Sequence, residues 1–201
     1  DGTMQVTYND MPLYYWINDE EAGDTTGDGV GNVWYIVEPV DLYIGGNDEL
    51  GNFIVGPEGM TLYLFTPDDA NCTGNCLENW PPFTAESVED VSVSRDLAGE
   101  IGLFEREDGT MQVTYNDIPL YYWINDEAIG DATGQGANDV WFVLQTIGTR
   151  TDEELGTFLV GPDEFTLYLF TPDDANCTGG CLENWPPLTA FAEGALQLGG
   201  G

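Results

Sequence analysis

The sequence has no histidine and no lysine, and its cations are limited to three arginines. A nucleophile needs a neighbouring base to become reactive, and His and Lys are the usual bases. Serine is also scarce, since all three serines lie between residues 87 and 94. We therefore predict that the protein is not an enzyme. A carboxylate pair for glycoside cleavage stays open, because the acids are too many to single one out.

Basic side chains are too few to neutralise phosphate, which disfavours nucleic acid and anionic lipid as partners. Long apolar runs are missing as well. No stretch of 18 apolar residues occurs, so we predict no transmembrane segment in this sequence and expect any membrane anchor to lie outside it. Residue 1 falls in the middle of a repeated pattern, so we expect an initiator methionine or signal peptide to have been removed or not included.

Acidic residues dominate instead, with 37 Asp and Glu and a formal net charge of -34. Such a charge pushes a compact fold apart in dilute buffer. In molar salt the Debye length falls to about 3 Å, and the repulsion is largely screened. Hydrophobic residues make up 42% of the chain, which is enough for a packed core. The composition is therefore typical of a folded protein from an extreme halophile.

One pattern, Leu-Tyr-x-(Phe/Trp)-x-x-Asp, occurs four times and organises the chain. Its tyrosines and aspartates are Tyr14, Asp19, Tyr63, Asp68, Tyr121, Asp126, Tyr168 and Asp173. Alternating aromatic and aliphatic residues that stop at a turn residue predict a half-buried β-strand. Each copy is followed by an acidic loop that ends at a tryptophan. We interpret the aromatic stripes as core and cross-strand pairs, with sugar stacking and an electron path as alternatives.

Two kinds of half-repeat, A and B, alternate along the chain. They are the N-terminal half B (1–38), the inner half A (50–83), the inner half B (104–144) and the C-terminal half A (155–190). The predicted linkers are residues 39–49, 84–103 and 145–154, followed by a flexible Gly-rich tail at 191–201. An edge strand is the alternative interpretation for residues 84–103. Residues 50–144 thus contain one complete repeat. Short strands and the absence of a long helical period predict an all-β fold, with small antiparallel sandwich-like or barrel-like repeats built from hairpins.

Four cysteines form two Cys-x-x-x-Cys pairs, Cys72/Cys76 and Cys177/Cys181. One helical turn would bring the Cα atoms of such a pair to about 6 Å, which is within disulfide range. We predict two structural disulfides on short helical turns, and hence an oxidising, extracellular compartment. A zinc site would need four converging ligands, and redox catalysis would need a Cys-x-x-Cys spacing, so both interpretations are weaker.

Two further kinds of site are candidates. Asn71 and Asn176 each begin an Asn-Cys-Thr sequon and are candidate glycosylation sites. The candidate Ca²⁺ ligands are Asp19, Asp24, Asp126 and Asp131. They lie in Gly-rich acidic loops, and Ca²⁺ takes 6–8 oxygen ligands, but the EF-hand spacing is absent. A solvated acidic loop without a cofactor is the favoured interpretation, and Ca²⁺ is the alternative.

The repeated residues also carry a resemblance. Half A reads Gly59-x-x-Leu62-Tyr63-x-Phe65-x-x-Asp68, then Cys72-x-x-x-Cys76-x-x-x-Trp80-Pro81-Pro82, and half B reads Asp108-Gly109-x-x-Gln112-Val113-x-Tyr115, then Pro119-Leu120-Tyr121-Tyr122. In these residues the chain resembles a family of secreted tandem repeats of unknown function, also described as predicted lipoproteins with a Tyr-x-(Phe/Trp/Tyr)-x-x-Asp motif. The resemblance implies a surface location and a complete domain of half A followed by half B, but no catalytic residue.

The order B-A-B-A leaves a half B and a half A outside the complete repeat. Isolated hairpins are marginal in water, and soluble proteins avoid open strand edges and apolar patches. We hypothesise that half A of one copy completes half B of the next, so that a structural cell-surface protein forms a head-to-tail filament. The alternatives are two permuted B-then-A domains (1–83 and 104–190), closure of the two orphan halves within one chain, and a monomeric secreted lipoprotein module that binds a ligand or Ca²⁺.

The charge generates a testable prediction, which is that folding requires salt. Lowering the ionic strength from molar to about 10 mM lengthens the Debye length from about 3 to about 30 Å, so self-repulsion then reaches across a whole domain. Circular dichroism at pH 7 should show a folded spectrum in about 2–3 M NaCl and a loss of structure in dilute buffer. Part of the structure should return in dilute acid, because protonated carboxylates no longer repel. Identical spectra in dilute and molar salt would contradict the prediction.

Overall fold

The structure is a computed structural model that describes residues 4–8, 11–37, 40–67, 72–171 and 177–199. Short strands make up most of its regular structure, so the predicted all-β fold is confirmed. The strand predicted at each of the four Leu-Tyr motifs is wrong for three of them, since only Tyr63–Phe65 forms a strand and Tyr121 makes isolated bridges. Two single-turn α-helices each carry the second cysteine of a pair, namely α1 (Asn75–Asn79) and α2 (Gly180–Asn184). Each helix stops just before a Trp-Pro-Pro sequence, because proline cannot continue a helix.

The first of two compact units, residues 1–39, contains the N-terminal half B. Strands β1 (Thr7–Tyr8) and β2 (Met11–Pro12) pair antiparallel. The loop that follows contains a 3₁₀ turn at Val30–Asn32 and is closed by a 2.7 Å hydrogen bond from the N–H of Gly29 to the carbonyl of Trp34. None of the side chains described in this unit is buried. Those residues therefore have no hydrophobic core of their own.

The second compact unit, residues 40–201, contains the complete repeat and the C-terminal half A. Its strands are β3 (Tyr43–Asn47), β4 (Gly51–Val55), β5 (Tyr63–Phe65), β6 (Ile101–Glu105), β7 (Met111–Tyr115), β8 (Ile118–Pro119), β9 (Trp141–Val143), β10 (Gln145–Asp152), β11 (Gly156–Val160) and β12 (Leu196–Leu198). Its 3₁₀ turns are Pro57–Gly59, Val88–Asp90 and Ala137–Asp139.

These strands form small sheets. The largest has the order β11-β10-β4-β3, with β12 added parallel to β10. A two-stranded sheet pairs β5 of the inner half A with β9 of the inner half B, antiparallel and with Tyr63 opposite Val143. A three-stranded antiparallel sheet has the order β6-β7-β8. The hairpins β3–β4 and β10–β11 are copies of each other, since Tyr43↔Val55 and Gly148↔Val160 are equivalent pairs.

The inner half A and the inner half B share one hydrophobic core. Its aliphatic cluster includes Ile54, Leu62, Leu64, Val113, Leu120 and Leu144. Its aromatic cluster includes Phe53, Tyr63, Trp80, Tyr121 and Trp141. Both clusters take residues from both halves. Burying one such side chain contributes about 1.5–3 kcal/mol, so either half alone would lose much of its stabilisation.

Segments predicted as linkers carry regular structure instead. β3 lies within residues 39–49, β10 begins the segment 145–154, and β6 begins within 84–103. Val91 and Leu97 are also buried in the aliphatic cluster, so 84–103 is not an exposed linker. The acidic composition of this segment hides the few apolar side chains that reach the core.

The Gly-rich tail is ordered, although its glycines predict a flexible segment. Residues 196–198 form β12, which pairs in parallel with β10, and Ala195 is fully buried. An equivalent parallel bridge lies next to the inner half A, where Leu42 pairs with Val93. The tail is ordered because β10 offers it a strand edge whose backbone groups it can satisfy.

A substitution at the buried tail position tests this docking. Ala195→Leu adds volume at a fully buried site and should lower the free energy of unfolding of the second unit by about 1–3 kcal/mol. Leu198→Ala is the matched control, because Leu198 is largely exposed and its change should stay within about 0.5 kcal/mol. Denaturant unfolding in molar salt, followed by tryptophan fluorescence, measures both. Two near-zero effects would mean that the tail is not packed in solution.

Candidate functional site

The hydroxyl of Tyr63 and the carboxylate of Asp126 join the two halves of the complete repeat. Tyr63 lies on β5 of the inner half A and is fully buried. Its hydroxyl donates a 2.6 Å hydrogen bond to Oδ2 of Asp126 in the inner half B. Oδ1 of Asp126 accepts from the backbone N–H and the hydroxyl of Thr133, at 2.9 and 2.7 Å. The carboxylate is almost fully buried, and these donors offset the loss of its hydration.

The protonation of Tyr63 suits its role as a donor. Burial raises the pKa of its phenol well above the usual value, and the hydrogen bond to Asp126 raises it further. The phenol therefore stays protonated at neutral pH. A hydrogen bond to a charged acceptor contributes about 1.5–3 kcal/mol to stability. A buried carboxylate without its donor would destabilise the fold further, because its lost hydration would not be replaced. The pair thus fixes how the two halves dock.

Three tryptophans stack at the centre of the same interface. The rings of Trp80 from half A and Trp141 from half B lie parallel, with centroids 3.9 Å apart, and the ring of Trp123 lies 4.2 Å from Trp80. Gly134 leaves room for the stack, because a Cβ there would lie 2.6 Å from the Trp80 ring. Aromatic pairs add about 0.5–1.5 kcal/mol each beyond the area they bury. The stack therefore strengthens the contact between the halves.

Arg106 ties the disulfide loop of the inner half A to half B. Its buried guanidinium donates to the carbonyl of Cys72, to Oε1 of Gln112 and, at 3.3 Å, to the hydroxyl of Tyr121. Cys72 is bonded to Cys76 on the predicted helical turn, with Cα atoms 5.3 Å apart. Sequence reasoning missed Arg106. The signal that could have found it is its rarity, since it is one of three arginines in an acidic chain.

The half B loop has the same internal hydrogen bonds in both copies. In the first copy, Oδ1 of Asp19 accepts from the N–H and hydroxyl of Thr26, at 3.0 and 2.7 Å. Asp24 and its counterpart Asp131 each accept two backbone N–H groups. Within the described ranges no three His, Cys, Asp or Glu side chains lie close enough together to hold a metal ion. The candidate Ca²⁺ ligands thus organise their own loop, and Ca²⁺ binding stays an untested alternative.

The C-terminal half A exposes the face that the inner half A buries. Tyr168, Leu169 and Trp185 are 73%, 86% and 56% exposed, whereas their counterparts in the complete repeat are at most 4% exposed. The ring contact between Tyr168 and Trp185, at 5.3 Å, repeats that of Tyr63 and Trp80, at 5.2 Å. This half is therefore folded like its inner counterpart but lacks the cover.

The N-terminal half B shows the complementary situation. Tyr14, Trp34 and Ile36 are 61%, 47% and 44% exposed, and their inner counterparts are at most 2% exposed. Tyr14 and Trp34 meet edge to face at 5.2 Å, as Tyr121 and Trp141 do at 5.1 Å. The N-terminal half B therefore exposes the side chains that the inner half B buries.

Some predicted residues lie outside the described residues. These are the motif aspartates Asp68 and Asp173 and the sequon residues Asn71 and Asn176. Their roles stay predictions. The second disulfide, Cys177–Cys181, is formed, with Cα atoms 5.4 Å apart. In the part of the chain that the structure describes, no helix is long and apolar enough to cross a bilayer.

Together these features define a class, namely a disulfide-containing tandem-repeat β-protein whose half-repeats meet through an aromatic interface. The chain belongs to the family described as a secreted repeat of unknown function, whose model matches residues 1–38, 46–84, 102–145 and 149–189. One match overlaps each of the four half-repeats, and the family match confirms the resemblance found in the sequence. The family description supports an extracellular location and assigns no enzymatic activity. No curated protein and no solved structure matches the chain.

A matched pair of variants tests the phenol–carboxylate contact. Tyr63→Phe removes the donor to Asp126 and should lower the free energy of unfolding of the second unit by about 1.5–3 kcal/mol. Tyr168→Phe is the same change at the exposed counterpart, and in the unassembled chain its effect should stay below about 0.5 kcal/mol. Urea unfolding in molar salt measures both. Equal effects would show that the contact does not hold the halves together.

Proposed function

We propose that the protein is a structural, extracellular repeat protein whose copies join head to tail into a filament. In this assembly the C-terminal half A of one copy completes the N-terminal half B of the next copy. One observation carries the proposal: the faces exposed on these outer half-repeats are copies of the two faces that cover each other in the complete repeat. The occupant that fits each face is therefore a second copy of this chain.

The polar contact expected between copies follows from the one inside the complete repeat. Tyr168 would donate to Asp19 of the next copy, as Tyr63 donates to Asp126. Asp19 already has the orientation of Asp126, because Thr26 holds its other oxygen. The acceptor is thus preformed before the copies meet.

The apolar and backbone contacts follow in the same way. Trp185 would stack on Trp34 of the next copy, since their counterparts stack at 3.9 Å in the complete repeat. The N–H of Ile54 donates to the carbonyl of Leu144 at 2.9 Å. The equivalent groups across copies belong to residues 159 and 37, which would extend the backbone pairing over the junction.

Energetics favour completion by a preformed half A. Each large apolar side chain buried contributes about 1.5–3 kcal/mol of transfer free energy. Part of this gain is lost, because association orders side chains and removes translational freedom. The C-terminal half A keeps that loss small, since β10 and β12 already fix it to the complete repeat.

The symmetry of the contact favours a polymer. Each chain has one exposed half A and one exposed half B, so the contact is heterologous and leaves a free face at both ends of any open oligomer. Growth can therefore continue until a ring closes or a filament forms. A monomer of two permuted B-then-A domains is disfavoured, because the inner half A is already covered by the inner half B.

We propose further that the assembly works outside the cell in concentrated brine. The family description supports secretion. A net charge of -34 makes a compact particle depend on screening, which molar salt supplies.

Two point variants test completion. Trp185→Ala damages the exposed half A, and Trp34→Ala damages the exposed half B. Each variant alone should stay monomeric in molar salt at concentrations where the wild-type chain polymerises. An equimolar mixture should give a dimer that grows no further, because the intact half A of the Trp34→Ala chain meets the intact half B of the Trp185→Ala chain. Light scattering and electron microscopy measure the species.

Val88→Ala is the control, because Val88 is an exposed apolar residue outside all four half-repeats and its variant should polymerise like the wild type. A wild-type chain that remains a monodisperse 22.0 kDa particle in molar salt at every concentration would contradict the proposal. That result would favour closure of the outer half-repeats within one chain, or a monomeric binding module. A mixture that behaves like the two separate variants would also contradict completion.

A further inference from the structure

A groove along the seam between the halves of the complete repeat holds both acidic and amide side chains. The inner half B contributes Asp131 and Gln135, and the segment that leads into the inner half A contributes Asn47 and Glu49. Nδ2 of Asn47 donates to the carbonyl of Gly130 across the seam, at 2.9 Å. Two carboxylates thus share the groove with two neutral amides, and one amide bridges the seam.

Carboxylates stand at all four matching positions on the N-terminal half B and on the segment that leads into the C-terminal half A. The counterparts of Asn47, Glu49, Asp131 and Gln135 are, in that order, Asp152, Glu154, Asp24 and Asp28. Both amides are therefore replaced by acids. A seam formed between copies would bring together four carboxylates where the complete repeat has two.

The turns around the two amides of the inner seam and around the acids that replace them have the same hydrogen bonds. Oδ1 of Asp152 accepts from the N–H groups of the residues two and three positions on, and so does Oδ1 of Asn47. Asp28 accepts a hydrogen bond from the N–H of Ile36. Gln135 accepts one from the N–H of Val143, which is the counterpart of Ile36. The replacements therefore keep the turns and change the charge.

We infer that the seam between copies is an electrostatic gate that keeps copies apart until salt screens it. This inference rests on the proposed filament and names how its junction is regulated. Like charges a few ångströms apart repel, and the repulsion falls as the Debye length shrinks. The complete repeat lacks two of these charges. It therefore stays folded at ionic strengths at which the copies separate.

A missing donor adds to the repulsion. Asp152 has no N–H group with which to reach the carbonyl of Gly23 in the next copy, which is the counterpart of Gly130. Two acceptors would face each other there. Hydrogen bonds from the N–H groups of Glu154 and Leu155 lower the pKa of Asp152, so its carboxylate is ionised at neutral pH.

The surrounding charge has the same sign on both partners. Residues 1–38 contain eight acidic residues and no base, and residues 149–189 contain eight acidic residues and one arginine. That arginine, Arg150, lies just before the C-terminal half A and is paired with Glu164 of that half at 2.6 Å. Neither of these two segments therefore brings an unpaired arginine or lysine to the seam between copies.

The sequence of the complete repeat supplies the test variant. The double variant Asp152→Asn, Asp28→Gln gives the seam between copies the composition of the seam inside the chain. The critical concentration for polymerisation, measured by sedimentation in NaCl at pH 7, should fall about tenfold at about 0.5 M salt. In about 3 M NaCl, where charges are screened, the difference should shrink to the few-fold effect of the hydrogen bond that Asp152→Asn restores. Circular dichroism at each salt concentration confirms that the chains compared are folded.

A control separates the seam from total charge. Glu89→Gln, Glu107→Gln removes two charges at exposed positions outside the seam and should change the critical concentration by less than about twofold. An equal shift in both double variants would overturn the gate, since it would trace the salt effect to net charge. A wild type that polymerises equally in dilute and molar salt would also overturn it. A wild type that polymerises at no salt concentration would instead overturn the filament itself.

Discussion

A hydrogen bond from a buried tyrosine to a buried aspartate sets the way in which half-repeats combine. Half A supplies the phenol and half B supplies the carboxylate, so each half carries a polar group that is costly to bury without the other. The same docking aligns Trp80 with Trp141. Arg106 binds the disulfide loop through the carbonyl of Cys72, and its guanidinium lies 5.9 Å from the centre of the Tyr121 ring. A half-repeat of this protein is therefore one side of an interface rather than a domain.

The order B-A-B-A matters because each half-repeat needs a partner half to bury its aromatic face. The inner halves satisfy each other, and the outer halves present the same surfaces uncovered. The two outer halves differ in support, because β10 and β12 hold the C-terminal half A on the complete repeat, whereas the first unit has no buried side chain among its described residues. An assembly built on these faces would join a supported half to one that gains a core on binding.

The acidic surface opposes the packing of half-repeats against each other. Aromatic burial favours contact between half-repeats, and a net charge of -34 opposes any approach of two chains. Within the complete repeat, Asn47 and Gln135 relieve this opposition with neutral amides. Between chains, the matching positions are acidic. Folding of the complete repeat and the proposed assembly of copies would thus respond differently to ionic strength.

Local patterns let the sequence by itself determine the all-β class, the disulfide turns, the four repeats and the secreted class, because each depends on neighbouring residues or on a repeated motif. The same motif predicted too many strands, since only the copy at Tyr63–Phe65 forms one. The tertiary structure decided the rest. Pairing of Tyr63 with Asp126, burial of Arg106, and the ordering of Val91 and Ala195 all join residues far apart in the chain. The surfaces that order them exist only once the halves have packed, and an acidic composition hides the few apolar side chains that reach those surfaces.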